Sequence, residues 1–160
     1  MTEWTVSDPG GWRQAHMGHW LRLALERFDT RVLALMAHHP GVPLGLANLV
    51  TRGQVGAAHI HITRHLATAG SRLTELARSA GMSKQAMGTL VNQCEAWGMV
   101  AREPDPLDAR AQQLRFTDIG LAWLEAYREA VEQAELELRQ AVGEEVATVL
   151  AIGLEAYSGQ

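Results

Sequence analysis

The feature that most constrains this chain is a change of hydrophobic period at Gly98. Upstream, apolar residues recur at helical spacing; downstream, two short segments carry the character of strands. Ser71 is placed to cap a short helix carrying Leu73, Leu76, Ala77 and Ala80, which Gly81 ends. Ser83 caps a second helix with Met87, Leu90, Val91, Cys94 and Trp97 on one face, closed by Gly98. Met99–Arg102 and Gln112–Phe116 then read as strands. Pro104-Asp105-Pro106-Leu107-Asp108 lies between them, a run of turn formers, so the expectation is a hairpin with a long tip.

The rest of the chain reads as helices around this unit. Leu21, Leu25, Phe28, Val32, Leu35 and Met36 give a helix from about residue 16 to 37, stopped by His39-Pro40-Gly41-Val42-Pro43. A second helix is expected over about 53–69. Thr117 caps a long helix to about Gln140, Gly143 breaks it, and a last helix runs over about 144–157. The expected order is α-α-α-α-β-β-α-α: mainly α, with one small β-hairpin. Residues 1–15, with Pro9, Gly10 and Gly11, read as a loose arm, and 16–160 as one domain.

At 160 residues and 47% hydrophobic content the chain can bury a core without disulfide or metal. Its single cysteine, Cys94, fits a reducing, cytoplasmic setting. No stretch of about 18 apolar residues suits a membrane span, and the first residues lack a secretory pattern.

Net charge is −4, which alone argues against a polyanion partner, but the charge is unevenly spread. Residues 1–71 carry 6 basic and 4 acidic groups, residues 72–117 carry 6 and 5, and residues 118–160 carry 2 and 9. A nucleic acid would therefore meet the chain upstream of residue 118. The two short helices around Gly81 form a helix-turn-helix candidate, in which the first helix braces a second that enters the major groove. The second helix presents Ser83, Lys84, Gln85, Gly88, Thr89 and Asn92. Gln and Asn pair with adenine, Lys pairs with guanine, and Gly permits close approach. A hairpin directly after such a pair is the winged-helix plan. Arg102 lies on its first strand. At its tip, Arg110 suits a narrow minor groove, with Asp108 placed to hold the guanidinium.

With these motifs in view, the sequence resembles the MarR family of winged helix-turn-helix transcription regulators. The resemblance rests on Arg72-Leu73-Thr74-Glu75-Leu76-Ala77, on Ala80 to Gly88, on Pro104-Asp105-Pro106-Leu107-Asp108-Ala109-Arg110-Ala111, and on Leu114 to Gly120. It implies a winged helix-turn-helix over about 53–117 and dimerisation helices over about 16–38 and 118–158. It also implies a homodimeric repressor of a palindromic operator in double-stranded DNA, released by a small aromatic or phenolic acid. Trp20, His61, Arg64 and His65 are the residues such a ligand would meet. The final two helices support a dimer independently, since Leu121, Leu124, Tyr127, Val131, Val146, Val149, Leu150 and Leu154 exceed what a small domain needs to bury. This chain departs from the family in the single basic residue, Lys84, of its second helix.

Other readings are weaker. His61 and His65 are four residues apart and could share a metal, with His38 or His39 as a third ligand. No cysteine lies near them, so neither a metal nor a cofactor is expected. Cys94 shares the apolar face with Leu90 and Trp97 and reads as core rather than as a redox sensor. A winged-helix interaction module without DNA binding is the alternative from another class. No phosphate loop, nucleophile elbow or carboxylate pair suggests an enzyme.

Overall fold

The computed structural model describes residues 11–159. Most of the expected loose arm therefore lies outside the described residues, and its last part begins with a short 3₁₀ turn, Gly11–Gln14. The elements in order are α1 (Met17–Ala37), α2 (Leu44–Thr51), α3 (Ala57–His65), α4 (Leu73–Ser79), α5 (Lys84–Ala96), β1 (Val100–Asp105), β2 (Asp108–Phe116), α6 (Asp118–Val142) and α7 (Glu144–Ser158).

Two expectations about helices need correction. The segment expected as one helix over 53–69 is shorter: α3 opens at Ala57 and ends at His65, because Leu66 turns extended. Helix α2 was not expected at all. Its eight residues lie between Pro43 and Arg52 and are apolar nearly throughout, so no polar–apolar period marks it. Leu46, Ala47 and Val50 are nevertheless buried.

The helix-turn-helix forms as the sequence suggests, except that Arg72 rather than Ser71 is the N-cap of α4, while the Ser71 hydroxyl accepts the Ala67 amide at 3.2 Å. Gly81 takes φ +64°, a conformation costly for any residue with a Cβ. It lets the Met82 amide reach the Ala77 carbonyl (2.8 Å) and the Gly81 amide reach that of Arg78 (3.1 Å), closing α4. Ser83 then caps α5 by accepting the Ala86 amide at 3.1 Å.

The hairpin differs from expectation. Instead of short strands and a long tip, β1 and β2 pair from Val100↔Phe116 to Pro104↔Gln112 and again at Asp105↔Asp108. Only Pro106 and Leu107 form the turn, and the extra residues 109–111 stand as a bulge in β2. Ser71 adds a bridge to Leu114, with amide–carbonyl bonds of 3.0 and 2.8 Å, which ties the root of α4 to the sheet.

Thr117 caps α6, accepting the Gly120 amide at 3.1 Å. Gly120 is obligatory there, since a Cβ would stand 1.9 Å from the Met99 carbonyl oxygen. One continuous core joins the helical frame to the lobe, running from Val32 and Met36 through Ile62, Leu76, Met87, Val91 and Cys94 to Met99, Trp123 and Ala126. Trp123 donates its Nε1–H to Thr63 at 3.0 Å inside it. Arg31 grips Glu137 with two bonds of 2.7 and 2.8 Å, joining α1 to α6.

Helix α7 is the exception. Only Ala147 of its fifteen residues is buried, and Val146, Val149 and Ile152 are more than half exposed. Among the described residues no helix is long and apolar enough to cross a membrane.

Candidate nucleic-acid interface

The polar face expected on the second helix of the pair is present on α5. Ser83, Lys84, Gln85, Thr89 and Asn92 are exposed, while Met87, Val91 and Cys94 hold the helix to the core. Thr89 donates its hydroxyl to the Gln85 backbone carbonyl at 3.2 Å, and the exposed Gln85 side chain has no bonded partner among the described residues. Gly88 is half-buried. A Cβ there would meet only Leu73 Cδ2, at 3.8 Å, so the fold itself does not require glycine at this position.

A groove of about 250 Å³ separates α5 from the hairpin, which is the wing of this fold. It is lined by Arg72, Thr74, Lys84, Arg102, Gln112 and Leu114, among others. Side chains alternate across a strand pair, so the Arg102↔Leu114 and Pro104↔Gln112 pairs put Arg102 and Gln112 on the same face of the wing. Lys84, expected to read a base, therefore lies beside the groove with two arginines.

Arg102 is not a free cation. Its guanidinium pairs with Glu95 and donates to Asn92 Oδ1 at 2.7 Å, pinning the root of the wing to α5. Arg72 makes the corresponding tie at the tip. It donates Nε–H to the buried Asp105 at 2.6 Å, and its Nη2 stands 3.8 Å from Asp108. The Leu107 amide and the Arg72 guanidinium hold the Asp105 carboxyl below the usual carboxylate range. Sequence reasoning missed Arg72, Thr74, Asp105 and Gln112. Only the strand register, unknown beforehand, brings them together.

Arg110 lies on the bulge and is exposed, without a side-chain partner among the described residues. Asp108 does not hold its guanidinium, contrary to expectation. It accepts the Arg110 backbone amide at 3.1 Å instead and faces Arg72. The reason is local: a carboxylate two residues before an amide closes an Asx turn more readily than it reaches a long side chain.

Of the four residues expected at a ligand, His61, Arg64 and His65 neighbour one another on α3 and Trp20 lies on α1. Trp20 is exposed on α1 with its ring edge against His19. Arg64 is engaged by the buried Asp29 at 2.6 Å and by the Tyr127 hydroxyl at 3.0 Å, fastening α3 to α1 and α6. His61 and His65 stack at 6.1 Å, and His65 Nδ1 bonds Ser79 Oγ at 3.1 Å. Burial, then the neighbouring His61 and Arg64, push the His65 imidazole below its ordinary pKa. His61 Nδ1 is buried with no hydrogen-bond partner.

The metal alternative does not assemble. His38 bonds the Ala34 carbonyl and His39 bonds Glu129. Among the described residues no group of three or more His, Cys, Asp or Glu side chains could hold an ion. Cys94 is fully buried, and burial pushes its thiol up to about 12, as expected for a core residue rather than a reactive one.

A model of the MarR family matches residues 54–111, the segment that contains α3, the helix-turn-helix and the wing tip. Over this lobe the chain is similar to the MarR family. Solved structures share the architecture over nearly the whole chain. The transcriptional repressor CouR bound to a 23-mer DNA duplex is 22% identical and has a TM-score of 0.68, covering 95% of this chain and 99% of that one. A mutant MarR from E. coli complexed with operator DNA is 18% identical with a TM-score of 0.66, covering 94% and 99%. CouR from Rhodococcus jostii RHA1 bound to p-coumaroyl-CoA is 18% identical with a TM-score of 0.64, covering 90% and 92%. At these identities the likeness is one of fold. No curated protein sequence matches the chain. The winged lobe matched by the MarR family model is thus built here with its wing tied at both root and tip.

Proposed function

We propose that the chain is a homodimeric, sequence-specific binder of double-stranded DNA that represses transcription and is released by a small ligand. The observation that carries this reading is the groove between α5 and the wing, where Lys84, without an ion-pair partner among the described residues, stands beside Thr74 and Gln112. In a duplex the sugar–phosphate ridge separates the major from the minor groove. A protein that reads both must offer a trough for that ridge between its two readers, lined by cations and amides. The exposed Gln85 and Thr89 then face base edges beside Asn92, whose Oδ1 is held by Arg102 and which has only its amide N–H left to donate, and the exposed Arg110 reaches the adjacent minor groove.

The dimer follows from α7, whose exposed valines, isoleucine and leucines need cover that a lone protomer lacks. A second copy would place two α5 helices roughly 34–36 Å apart, one turn of duplex, on a palindromic site. The proposed ligand is a small aromatic or phenolic acid entering beside α3. Its support on this chain is the unpartnered, buried Nδ1 of His61. CouR, a protein of the same fold, has been seen with p-coumaroyl-CoA.

The test is selection of bound fragments from the source genome, followed by mobility shifts over a salt series. Wild type should enrich palindromic fragments. Arg110→Ala should weaken binding to all of them and reduce the salt slope by about one unit. No shift at low salt with any fragment would instead favour a winged-helix protein-interaction module.

A further inference from the structure

The wing tip carries its DNA-facing arginine on a piece of backbone that the sheet does not control. Between Pro104↔Gln112 and Asp105↔Asp108 the register breaks, and residues 109–111 have no counterpart on β1. Ladder bonds therefore cannot transmit the orientation of the wing stem to Arg110. What holds the tip is polar. Asp105 is buried and accepts the Leu107 amide through Oδ1 at 2.8 Å and Arg72 Nε–H through Oδ2 at 2.6 Å. Asp108, paired opposite Asp105, accepts the Arg110 amide through Oδ1 and turns Oδ2 toward Arg72 Nη2.

One guanidinium thus faces both acids at the base of the turn. Arg72 is itself fixed, because it is the N-cap of α4 and its amide donates to Glu75 at 3.0 Å. The tie runs from the bracing helix to the tip and bypasses α5. The separate Arg102–Glu95 pair serves the root.

We propose that Arg72 is a positioning residue: through Asp105 and Asp108 it orients the bulge that carries Arg110 into the minor groove. This rests on the DNA-binding reading above. It assigns Arg72 a role distinct from that of a phosphate contact, which its place on the groove would otherwise suggest.

Two substitutions separate the roles. Asp105→Asn keeps the oxygen that accepts the Leu107 amide but replaces the Arg72 acceptor with a donor, and it also removes a negative charge near DNA. If Arg72 only contacted phosphate, that change would strengthen binding. If Arg72 positions the tip, binding weakens despite the favourable change in charge.

The experiment measures duplex affinity of the full chain with two 30-base-pair probes, one with a central A-tract and one of mixed G·C-rich sequence. It uses wild type, Arg72→Gln, Asp105→Asn, Arg110→Ala and the doubles with Arg110→Ala, each checked for an unchanged melting transition. Wild type should prefer the A-tract, whose narrow minor groove attracts arginine. Arg72→Gln and Asp105→Asn should each remove most of that preference, and in the Arg110→Ala background neither should cost anything further.

An equal loss in both backgrounds, or a gain for Asp105→Asn, overturns the positioning role while leaving DNA binding intact. Wild type that binds neither probe at low salt removes the DNA-binding reading, and this inference with it.

Discussion

Gly88→Ala should make the protein more stable and a poorer DNA binder. Glycine inside a helix costs up to about 1 kcal/mol relative to alanine. Gly88 sits five residues into the thirteen-residue α5, so this cost is incurred in full. The new Cβ would meet only Leu73 Cδ2, at 3.8 Å, an ordinary contact. Nothing therefore offsets the gain of about 0.5–1 kcal/mol, which for a chain of this size raises Tm by roughly 1–4 °C. Gly88 also lies on the helix proposed to approach base edges, between the exposed Gln85 and Asn92. A methyl group there holds the duplex away, so affinity for a selected operator should fall about tenfold or more, equivalent to ~1.4 kcal/mol. Calorimetric melting and mobility shifts on one preparation read both effects. A lower Tm would refute the packing argument. Unchanged affinity with the higher Tm would place the duplex elsewhere than against this face of α5.

Three further outcomes are expected. Leu150→Glu on α7 should shift sedimentation from dimer to single protomer while Tm at the lowest measurable concentration moves by no more than ~0.5 kcal/mol equivalent, because Leu150 is already 41% exposed in one copy. Sedimentation identical to wild type would show that α7 is not the interface. Gly120→Ala should destabilise by about 3 kcal/mol or prevent folding, because the Met99 carbonyl leaves no room for the Cβ; a wild-type melting curve would contradict this. Native Cys94 should resist maleimide at pH 8 and react only on unfolding. Because its folded pKa lies above the unfolded value, its contribution to stability is present below pH 9 and is lost as pH rises from 9.0 toward about 12. Rapid labelling of folded protein would show the thiol accessible.

The order of elements was legible wherever a cap and a period coincided. Ser83, Gly81, Thr117 and Gly143 all mark boundaries that the structure keeps. Helix α2 was not legible, because eight nearly uniform apolar residues show no face. The strand register was not legible either. The composition of Pro104–Asp108 announces a turn but not how many residues close it, and a bulge shifts every later pairing. Consequently the exposed residues of α5 and Arg110 could be chosen from residue type and spacing. Arg72, Asp105 and Gln112 could not, since the Arg72–Asp105 pair joins positions 33 apart and Gln112 reaches the groove only through the strand register. Arg64 shows the converse limit. Its type suited an anion, but a buried aspartate on another helix already occupies it.

The unbroken core has a mechanical consequence. Val32 and Met36 of the frame belong to the same packed mass as Leu76 and Met87 of the lobe, and Trp123 and Arg64 bolt the two together. Among the described residues the packing runs unbroken from one to the other, so a displacement of either is met by side chains of both. A ligand entering beside α3, as proposed, would therefore press on frame and lobe together, because one packed mass joins Ile62 of α3 to both.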